Sequence, residues 1–540
     1  MTYGGPELAK RRANHVPLTP VSFLARAAQV WADRTAVIDN DRRFTYAEFY
    51  ARCRRLAHAL TERGIGRGDT VAILAANSPA LLEAHYAVPM LGAVLNPINI
   101  RLDARAIAFC LQHGEAKLFL TDRGFAETIV PALQEMEQAP KVIDIADPEQ
   151  PDLTAIGDEE YEDVLGNADA NSELPGPEDE WNAICLLYTS GTTGNPKGAV
   201  YSHRGAYLSA LSNAFAFKLD HESVYLWTLP MFHCSGWTYT WGVTAAGGTH
   251  VCLRKVEPKR IFELIGKHDV THMCGAPIVL NMLVHAPQSD KKTFPQQVKV
   301  GTGGAAPPST IIREMEKLGF EVLHLYGATE TYGPSTYCAP LSEWEELSEQ
   351  DRHTQMALQG IPYPMIEDMI VADPVTAAPV PRDGKTIGEI MVRGNSVMKG
   401  YLKNPATTDD TMRNGWCRSG DLAVWHENGY FEIKDRAKDI IITGGENVSS
   451  LEVEEVLYRH PDVMEAAVVS KPDEEWGEAI CAFVDLKPEA HQTDADNIIA
   501  FCRDNLAGFK CPRHLVFGPL PKTSTGKIQK FRLRELAKDN

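Results

Sequence analysis

The sequence lacks any hydrophobic run that approaches the ~20 apolar residues of a membrane span, and no apolar segment follows Arg11 and Arg12 as a secretory signal requires. It has no excess of basic residues either. The formal net charge is −19, which disfavours nucleic acid and anionic membranes as main partners. The chain does not end in a peroxisomal tripeptide. These absences predict a soluble, cytoplasmic protein with no integral membrane segment and no nucleic-acid partner.

The eleven cysteines form no CxxC pair and show no metal-ligand spacing. Scattered cysteines of this kind are typical of free thiols in a reducing compartment. With 540 residues, of which 44% are hydrophobic and 23% charged, the chain is long enough to bury several packed cores.

The first third of the chain alternates helix and strand patterns. Thr45 and Glu48 have the spacing of a capping box before the amphipathic run 46–63. The apolar segment 70–75 predicts a buried strand, and Pro79 follows at the start of the next helix. Further short strands are expected at 117–120 and 141–145. Such alternation predicts an α/β fold with parallel sheets and crossover helices.

Two segments interrupt this pattern. Residues 147–181 are rich in Asp, Glu, Pro, Asn and Gly, which predicts a solvated connector. A second boundary is expected near 432–436, after which strands at 439–443, 466–469 and 480–485 and helices after Ser449 or Ser450 and at 495–506 make a small unit. The predicted domains are therefore 1–434 and 435–540.

The most specific segment is a loop that follows the predicted strand 184–188. Glycines let backbone amides converge on an anion, hydroxyls add donors, and a single lysine supplies charge. A polyphosphate is the natural ligand. No Gly-Lys-Ser/Thr closes the loop, so a P-loop kinase or GTPase is disfavoured. The candidate phosphate-binding residues are Thr189, Ser190, Gly191, Thr192, Thr193, Gly194 and Lys197.

Four further motifs follow in order: YGATE at 326–330, SGD at 419–421, KDRAKD at 434–439 and PKTSTGKI at 521–528. With the loop, they resemble the signatures of the adenylate-forming superfamily, which includes acyl-CoA synthetases, luciferases and the adenylation domains of peptide synthetases. The resemblance implies a large multi-sheet N-terminal AMP-binding (adenylation) domain and a small mobile C-terminal α/β cap domain, with the active site in the cleft between them. TLPMFHCSGW at 228–237 and YGATETYGP at 326–334 most resemble bacterial 3-(methylthio)propionyl-CoA ligases, related short- and medium-chain acyl-CoA synthetases, and plant benzoate or cinnamate ligases.

The resemblance assigns nucleotide and metal roles. Glu330 and Thr189 are expected to hold Mg²⁺, for which hard oxygens are suitable ligands. Asp421 is expected to accept from the ribose hydroxyls, and the ring of Tyr326 to lie against adenine. The remaining ATP/AMP-binding candidates are Gly304, Ala305, Ala306, Gly327, Ala328, Thr329 and Arg436.

Catalytic and substrate roles are also implied. Lys527 is expected to stabilise the negative transition state of adenylation electrostatically, and Asp435 to be the hinge about which the small domain rotates. The other catalytic candidates are His233, which gates the passage between carboxylate and thiol, Glu330 and Lys438. The expected acyl pocket contains His233, Trp237, Gly303 and Gly333, and Gly444 and Gly445 are the CoA-binding candidates. Lys530 stands where the family usually has arginine, which keeps the charge but loses the forked geometry.

These residues predict an ATP-dependent, AMP- and pyrophosphate-forming acyl-CoA ligase, with ATP, Mg²⁺ and coenzyme A as cofactors and a small carboxylic acid as substrate. The preferred acid is 3-(methylthio)propionate or a short- or medium-chain fatty acid, and an aromatic benzoate or cinnamate type is the alternative. A luciferase-like oxidase, a peptide-synthetase module and a non-catalytic ATP-binding protein are the rival functions. A homodimer is a further expectation.

Overall fold

The computed structural model describes residues 3, 5–147, 149–189, 196–436, 438–444, 446–473, 476–488, 490, 493–523 and 527–539. Within them the chain is a mixed α/β protein, as the alternating pattern predicts. Four sheets are present in these residues, three in the N-terminal part and one in the C-terminal part.

The first sheet has a parallel centre and antiparallel edges. Its strands, in spatial order, are Ile361–Pro362, Gly333–Tyr337, Phe320–Ala328, Val298–Thr302, His272–Gly275, Val224–Leu226, Thr249–Val251, Thr35–Asp39 and Arg42–Thr45. The loops at the carboxyl ends of the parallel strands face one side, where ligands of α/β sheets commonly bind.

The second sheet is also mostly parallel, but three strands at one edge pair antiparallel, and two of these flank the predicted phosphate loop. Its strands, in spatial order, are Gly400–Tyr401, Gly198–Ser202, Ala183–Tyr188, Val94–Pro97, Thr70–Leu74, Ala116–Asp122, Lys141–Ile145 and Glu159–Glu160.

The other two sheets lie later in the chain. The third is antiparallel and consists of Ile366–Ala372, Gly388–Gly394, Cys417–Trp425 and Phe431–Arg436. The fourth consists of Glu446–Val448, Ile441–Thr443, Gly477–Leu486 and Val463–Asp473, with His514–Phe517 added in parallel beside Gly477–Leu486.

Helices cover the sheets. The α-helices of the described residues are Val21–Val30, Tyr46–Glu62, Pro79–Met90, Ala104–His113, Ala126–Gln134, Tyr161–Gly166, His203–Ala216, Tyr239–Ala246, Pro258–His268, Pro277–Val284, Ser309–Lys317, Glu349–Met356, Pro405–Thr411, Ser450–Tyr458, Ala495–Asn505 and Lys530–Asp539, and Cys234–Trp237 forms a single left-handed turn. Short 3-10 helices are Pro6–Leu8, Arg123–Phe125, Thr329–Thr331, Ser342–Glu346, Arg413–Gly415 and Gly508–Lys510.

One hydrophobic core joins the three N-terminal sheets, with Ile73, Tyr225 and Ile390 each contributed by a different sheet. The C-terminal part has a core of its own, around Val453, Val468 and other buried residues. A separate core is the physical basis on which a unit can move as one body. The boundary at 434/435 stays a prediction.

Several local predictions are confirmed. Thr45 and Glu48 form both hydrogen bonds of the capping box, and Pro79 begins its helix. Of the two candidate caps, Ser449 is the one that caps the helix Ser450–Tyr458. The predicted solvated connector at 147–181 is solvated only in part, because Tyr161–Gly166 is a helix that buries Tyr161 beside Glu83. Tyr161, Val164 and Leu165 of this helix are buried, so a few apolar side chains anchor part of a polar segment.

All eleven cysteines are free, as their spacing predicts, and the structure shows that all of them are buried. In the residues that the structure describes, no helix is long and apolar enough to cross a membrane.

Candidate active site

The two ends of the predicted phosphate loop meet. The strands Ala183–Tyr188 and Gly198–Ser202 pair in an antiparallel hairpin, and the amide of Thr189 donates to the carbonyl of Lys197 at 2.9 Å. The amide of Lys197 contacts Oγ1 of Thr189 at 3.4 Å. Thr189 and Lys197 are therefore adjacent, while the predicted Ser190, Gly191, Thr192, Thr193 and Gly194 lie outside the described residues.

Lys197 is connected to Glu330 through a residue that sequence reasoning missed. The ammonium of Lys197 lies 3.3 Å from the hydroxyl of Tyr401 and 4.3 Å from the centre of its ring. The Tyr401 hydroxyl donates in turn to Oε1 of Glu330. The strand Gly400–Tyr401 pairs with the strand that follows Lys197, and the amide of Met398 donates to the Glu330 carbonyl at 2.9 Å. The sequence around Gly400 and Tyr401 matches none of the motifs described above, so it did not indicate this contact.

The YGATE segment ends a strand in a tight turn. Gly327 approaches the partner strand so closely that a Cβ would lie 1.9 Å from the carbonyl oxygen of Gly333, so no side chain fits there. Ala328 precedes the short helix Thr329–Thr331, and its amide donates to Oγ1 of Thr331 at 3.1 Å. The carbonyl of Thr329 accepts a 2.6 Å hydrogen bond from the hydroxyl of Tyr201. This bond joins the turn to the second sheet.

The predicted ribose carboxylate lies beside the predicted adenine-binding tyrosine. The hydroxyl of Tyr326 donates to Oδ2 of Asp421 at 2.8 Å, and Nε of Arg436 lies 3.1 Å from Oδ1 of the same carboxylate. Gly304, Ala305 and Ala306 are exposed, and Gly304 has a left-handed φ of 84°. The role of these three residues beside adenine stays a prediction.

Lys527 lies among these charges. Burial, with a further contribution from the charge of Arg436, lowers the pKa of Lys527 to about 8, and Asp421 opposes the shift. Burial and the charge of Lys527 together lower the pKa of His233 to about 4, which leaves the imidazole neutral at pH 7. The loop is closed by the amide of Thr523, which donates to the carbonyl of Lys527 at 2.6 Å. The described arrangement thus brings the C-terminal lysine to the N-terminal site.

The hinge candidate links the two parts of the chain, because the backbone of Asp435 pairs with Leu422 in the third sheet and its side chain binds Ser450 of the C-terminal unit. Asp435 is buried, and its Oδ2 accepts 2.6 Å hydrogen bonds from both the amide and the hydroxyl of Ser450. Lys530 donates to the same hydroxyl at 2.5 Å and pairs with Glu454 at 2.7 Å. A lysine is sufficient here, since each of its two partners accepts a single hydrogen bond and neither needs the paired donors of a guanidinium.

Lys438 and Gly444 are the two remaining C-terminal candidates that the structure describes. Partial burial and the charge of Arg436 lower the pKa of Lys438. Gly444 packs against Trp476: its amide donates to the Trp476 carbonyl at 2.9 Å, and a Cβ there would lie 2.6 Å from the indole. Gly445 lies outside the described residues.

Trp237 fills the space between two glycines. A Cβ on Gly303 would lie 3.2 Å from the Trp237 ring, and one on Gly333 would lie 3.3 Å from the Trp237 Cα. Trp237 itself is 5% exposed. Trp237 therefore contacts both of the predicted pocket glycines, and its indole is the bulky group between them.

The turn that carries Trp237 is unusual. Residues 234–238 all have left-handed backbone conformations, with φ from 47° to 61°. Only Gly236 among them is free of the steric cost, which is roughly 1–2 kcal/mol per residue for the others. A backbone this strained persists only where surrounding contacts over-determine it, and such strain concentrates at functional sites.

The hard-oxygen character of the site suits magnesium. Mg²⁺ is usually held by one or two carboxylates together with substrate phosphates and water. Glu330 supplies one carboxylate and Thr189 one hydroxyl, next to the loop where phosphates are expected. No cluster of three or more His, Cys, Asp or Glu that could hold a metal by itself occurs in the parts of the chain that the structure describes.

Comparison with known proteins gives a consistent result. The family model "AMP-binding enzyme" matches residues 24–402, and "AMP-binding enzyme C-terminal domain" matches 452–527. An acetate–CoA ligase of Humulus lupulus is 49% identical over 99% of this chain and 97% of its own length. A peroxisomal trans-cinnamate:CoA ligase of Petunia hybrida is 47% identical over 98% and 96% of the two chains. The crystal structure of ATP-bound MatB from Rhodopseudomonas palustris superposes with a TM-score of 0.83 at 28% identity, covering 96% of this chain and 99% of that one.

These matches agree with the geometry, in which Lys527 of the C-terminal part is close enough to Asp421 and Arg436 to feel their charges. The protein belongs to the AMP-binding enzyme family of the adenylate-forming superfamily, and it is an AMP-forming carboxylic acid–CoA ligase.

Proposed function

We propose that this ligase activates a short carboxylic acid, with 3-(methylthio)propionate or a short- or medium-chain fatty acid as the best substrate. The observation that carries the proposal is the position of the Trp237 indole between Gly303 and Gly333. A bulky wall there limits the length of the acyl tail. The thioether is close in shape to a methylene, so a pocket for one accepts the other.

In the first half-reaction the substrate carboxylate attacks the α-phosphate of ATP and pyrophosphate leaves. Lys197 and the phosphate loop bind the polyphosphate, Asp421 accepts from the ribose, and Lys527 stabilises the charge shared by carboxylate and phosphate. Positioning and charge neutralisation do most of this work. Mg²⁺ held by Glu330 and Thr189 would supply further neutralisation of phosphate charge.

In the second half-reaction the thiol of CoA attacks the acyl-adenylate and AMP leaves. The neutral His233, beside Lys527 in the described arrangement, gates the passage of the thiol. Rotation of the 435–540 unit about Asp435 withdraws Lys527 and brings Gly444 and Gly445 to the thiol channel. Gating of this kind allows one site to serve two reactions in sequence.

An aromatic acid is the second candidate. The Petunia relative is a trans-cinnamate:CoA ligase by name, at 47% identity, so the family branch includes aromatic substrates. The Humulus relative is an acetate–CoA ligase by name, at 49% identity. This similarity supports a short acid as the substrate of this chain. A cytoplasmic location and a homodimer remain proposals for this chain.

A panel of acids with Mg-ATP and CoA tests the proposal. Butyrate, hexanoate and 3-(methylthio)propionate should be good substrates, palmitate and cinnamate poor ones, and the products should be AMP and pyrophosphate. Each buried methylene contributes only ~0.8 kcal/mol, so neighbouring chain lengths should differ less than about tenfold until the wall is met. A preference for palmitate or cinnamate would contradict the short-acid assignment.

The Trp237→Ala variant tests the wall directly. It should move the optimum toward longer or aromatic acids and leave the KM for ATP nearly unchanged. Trp344→Ala is the matched control, because Trp344 is equally buried but belongs to a separate cluster. If Trp237→Ala alters ATP use instead of acyl preference, Trp237 is a structural residue.

A further inference from the structure

The left-handed turn at 234–238 is held by one side chain from another helix. Asn213, on the helix His203–Ala216, is fully buried, and its Nδ2 donates to the carbonyl of Trp237 and to Oγ1 of Thr238, both at 2.9 Å. Its Oδ1 accepts from the hydroxyl of Tyr363 at 3.1 Å. Both the nitrogen and the oxygen of the side-chain amide are therefore hydrogen-bonded, and the bond from Tyr363 fixes the orientation of the amide.

Other contacts support the first half of the turn. Oγ1 of Thr240 donates to the carbonyl of Ser235 at 3.0 Å, and the Ser235 hydroxyl lies 3.2 Å from that of Tyr332. Gly236 packs so closely on Trp227 that a Cβ would lie 2.4 Å from its ring. These contacts fix the first half of the turn, whereas Asn213 alone among these residues contacts the end that carries Trp237.

The handedness of the turn decides where the indole lies. His233 precedes the left-handed residues and Trp237 is the fourth of them, so a relaxed right-handed path would redirect the Trp237 side chain away from Gly303 and Gly333. We propose that Asn213 is a positioning residue that sets the acyl-chain specificity of this ligase by holding the strained turn on which Trp237 closes the acyl pocket. This inference rests on the proposed role of Trp237 as the pocket wall.

Two variants remove the support to different extents. Asn213→Leu keeps the heavy-atom branching of the side chain and loses all three hydrogen bonds, while Tyr363→Phe removes only the bond that the Tyr363 hydroxyl donates to the amide oxygen. We expect Asn213→Leu to raise the octanoate-to-butyrate ratio of kcat/KM by about tenfold or more, and Tyr363→Phe to raise it less. The KM for ATP should stay within about twofold, because Asn213 contacts none of the nucleotide candidates.

A matched control separates positioning from general destabilisation. Tyr46→Phe also removes one buried hydroxyl, which donates to the carbonyl of Gly248 at 2.5 Å away from the turn. Tyr46→Phe should lower Tm as Tyr363→Phe does, and it should leave the octanoate-to-butyrate ratio of kcat/KM (the acyl ratio) unchanged. An equal change of the ratio in Tyr46→Phe, or an unchanged ratio in both Asn213→Leu and Tyr363→Phe, would overturn the inference. Should Asn213→Leu fail to fold, the Tyr363→Phe comparison decides the matter alone.

A double variant distinguishes this inference from the proposal beneath it. If Asn213 acts through Trp237, adding Asn213→Leu to Trp237→Ala should change the acyl ratio no further, since the two residues form one unit. Full additivity would refute the positioning role. If Trp237→Ala itself leaves the acyl ratio unchanged, the pocket assignment has failed, whatever the Asn213 variants show.

Discussion

The hydroxyl of Tyr326 donates a 2.8 Å hydrogen bond to Oδ2 of Asp421, although the two residues are 95 positions apart in the chain. Burial, together with the charge of Asp421, raises the pKa of Tyr326, so the phenol keeps its proton and remains a donor. Arg436 holds the other oxygen of the carboxylate at 3.1 Å. Asp421 is thus held in one orientation, which would reduce the entropy that nucleotide binding costs if it binds the ribose as proposed.

Removing that orientation should weaken nucleotide binding. Tyr326→Phe keeps the ring and loses one hydrogen bond to a charged group, which is worth about 1.5–3 kcal/mol. We expect the Kd for ATP, measured by calorimetry, to rise roughly tenfold or more, and that of Asp421→Asn to rise further. Tyr337→Phe, at a half-buried tyrosine of the neighbouring strand, is the control and should leave the Kd unchanged. An unaltered Kd in Tyr326→Phe would mean that the bond has no role in nucleotide binding.

The pH dependence of adenylation should report Lys527. Its pKa is about 8 rather than 10.5, so the active ammonium form predominates below pH 8 and is lost as the pH rises through that value. We expect kcat/KM for acyl-dependent pyrophosphate exchange to fall above about pH 8. In an active Lys527→Arg variant the fall in kcat/KM should occur at higher pH, because a guanidinium does not lose its proton near pH 8.

Replacement of the same lysine should separate the two half-reactions. Lys527→Ala should reduce pyrophosphate exchange by ~10²-fold or more, the order seen when a transition-state donor is removed. Thioester formation from supplied acyl-adenylate should fall far less. Lys522→Ala is the control from the same loop, since Lys522 pairs with Glu465 at 2.5 Å. Equal losses in both assays would contradict the two-conformation mechanism.

Tyr401 should affect phosphate and metal binding separately. Tyr401→Phe keeps the ring against Lys197 and loses the donor to Glu330, so the Kd for Mn²⁺ in the presence of ATP, measured by EPR, should rise several-fold. Tyr401→Leu also loses the ring, and it alone should weaken ATP binding in EDTA. A cation–π contact of this kind is worth about 0.5–2 kcal/mol.

The control for Tyr401 is Tyr430→Phe, which removes a buried hydroxyl that donates to the carbonyl of Ala339 outside the site. It should leave both binding constants unchanged. If Tyr401→Phe changes Tm but neither constant, the contact with Glu330 serves only the fold.

The fold should depend strongly on one buried ion pair. Arg52 contacts Glu83 at 2.5 Å, and Glu83 is fully buried and also accepts from Tyr161 at 2.6 Å. Glu83→Gln leaves Arg52 without its buried partner, so we expect a loss of about 3 kcal/mol or more in urea unfolding followed by core tryptophan fluorescence. Glu178→Gln, which breaks the exposed pair with Arg67, should have little effect. Similar losses of unfolding free energy in the two variants would contradict the special importance of the buried Arg52–Glu83 pair.

Much of this protein was determined by local sequence. Thr45 and Glu48 cap a helix wherever it lies, because both hydrogen bonds close within four residues. The hairpin around the phosphate loop and the strand before YGATE follow from apolar runs and glycines that act locally. The family resemblance adds the roles of Lys527, Asp421 and Glu330, and its two family models match the chain at 24–402 and 452–527.

Only the tertiary structure decided which distant groups meet. Nothing near Tyr401 in sequence indicates that it joins Lys197 to Glu330, and nothing near Asn213 indicates that its amide holds Trp237 and Thr238. The left-handed path of 234–238 is the clearest case. Local preference opposes it at four of five residues, and it persists because contacts from separate helices and strands outweigh that preference. Local energies therefore specify the elements and motifs of this ligase, while long-range hydrogen bonds specify the shape of its acyl pocket.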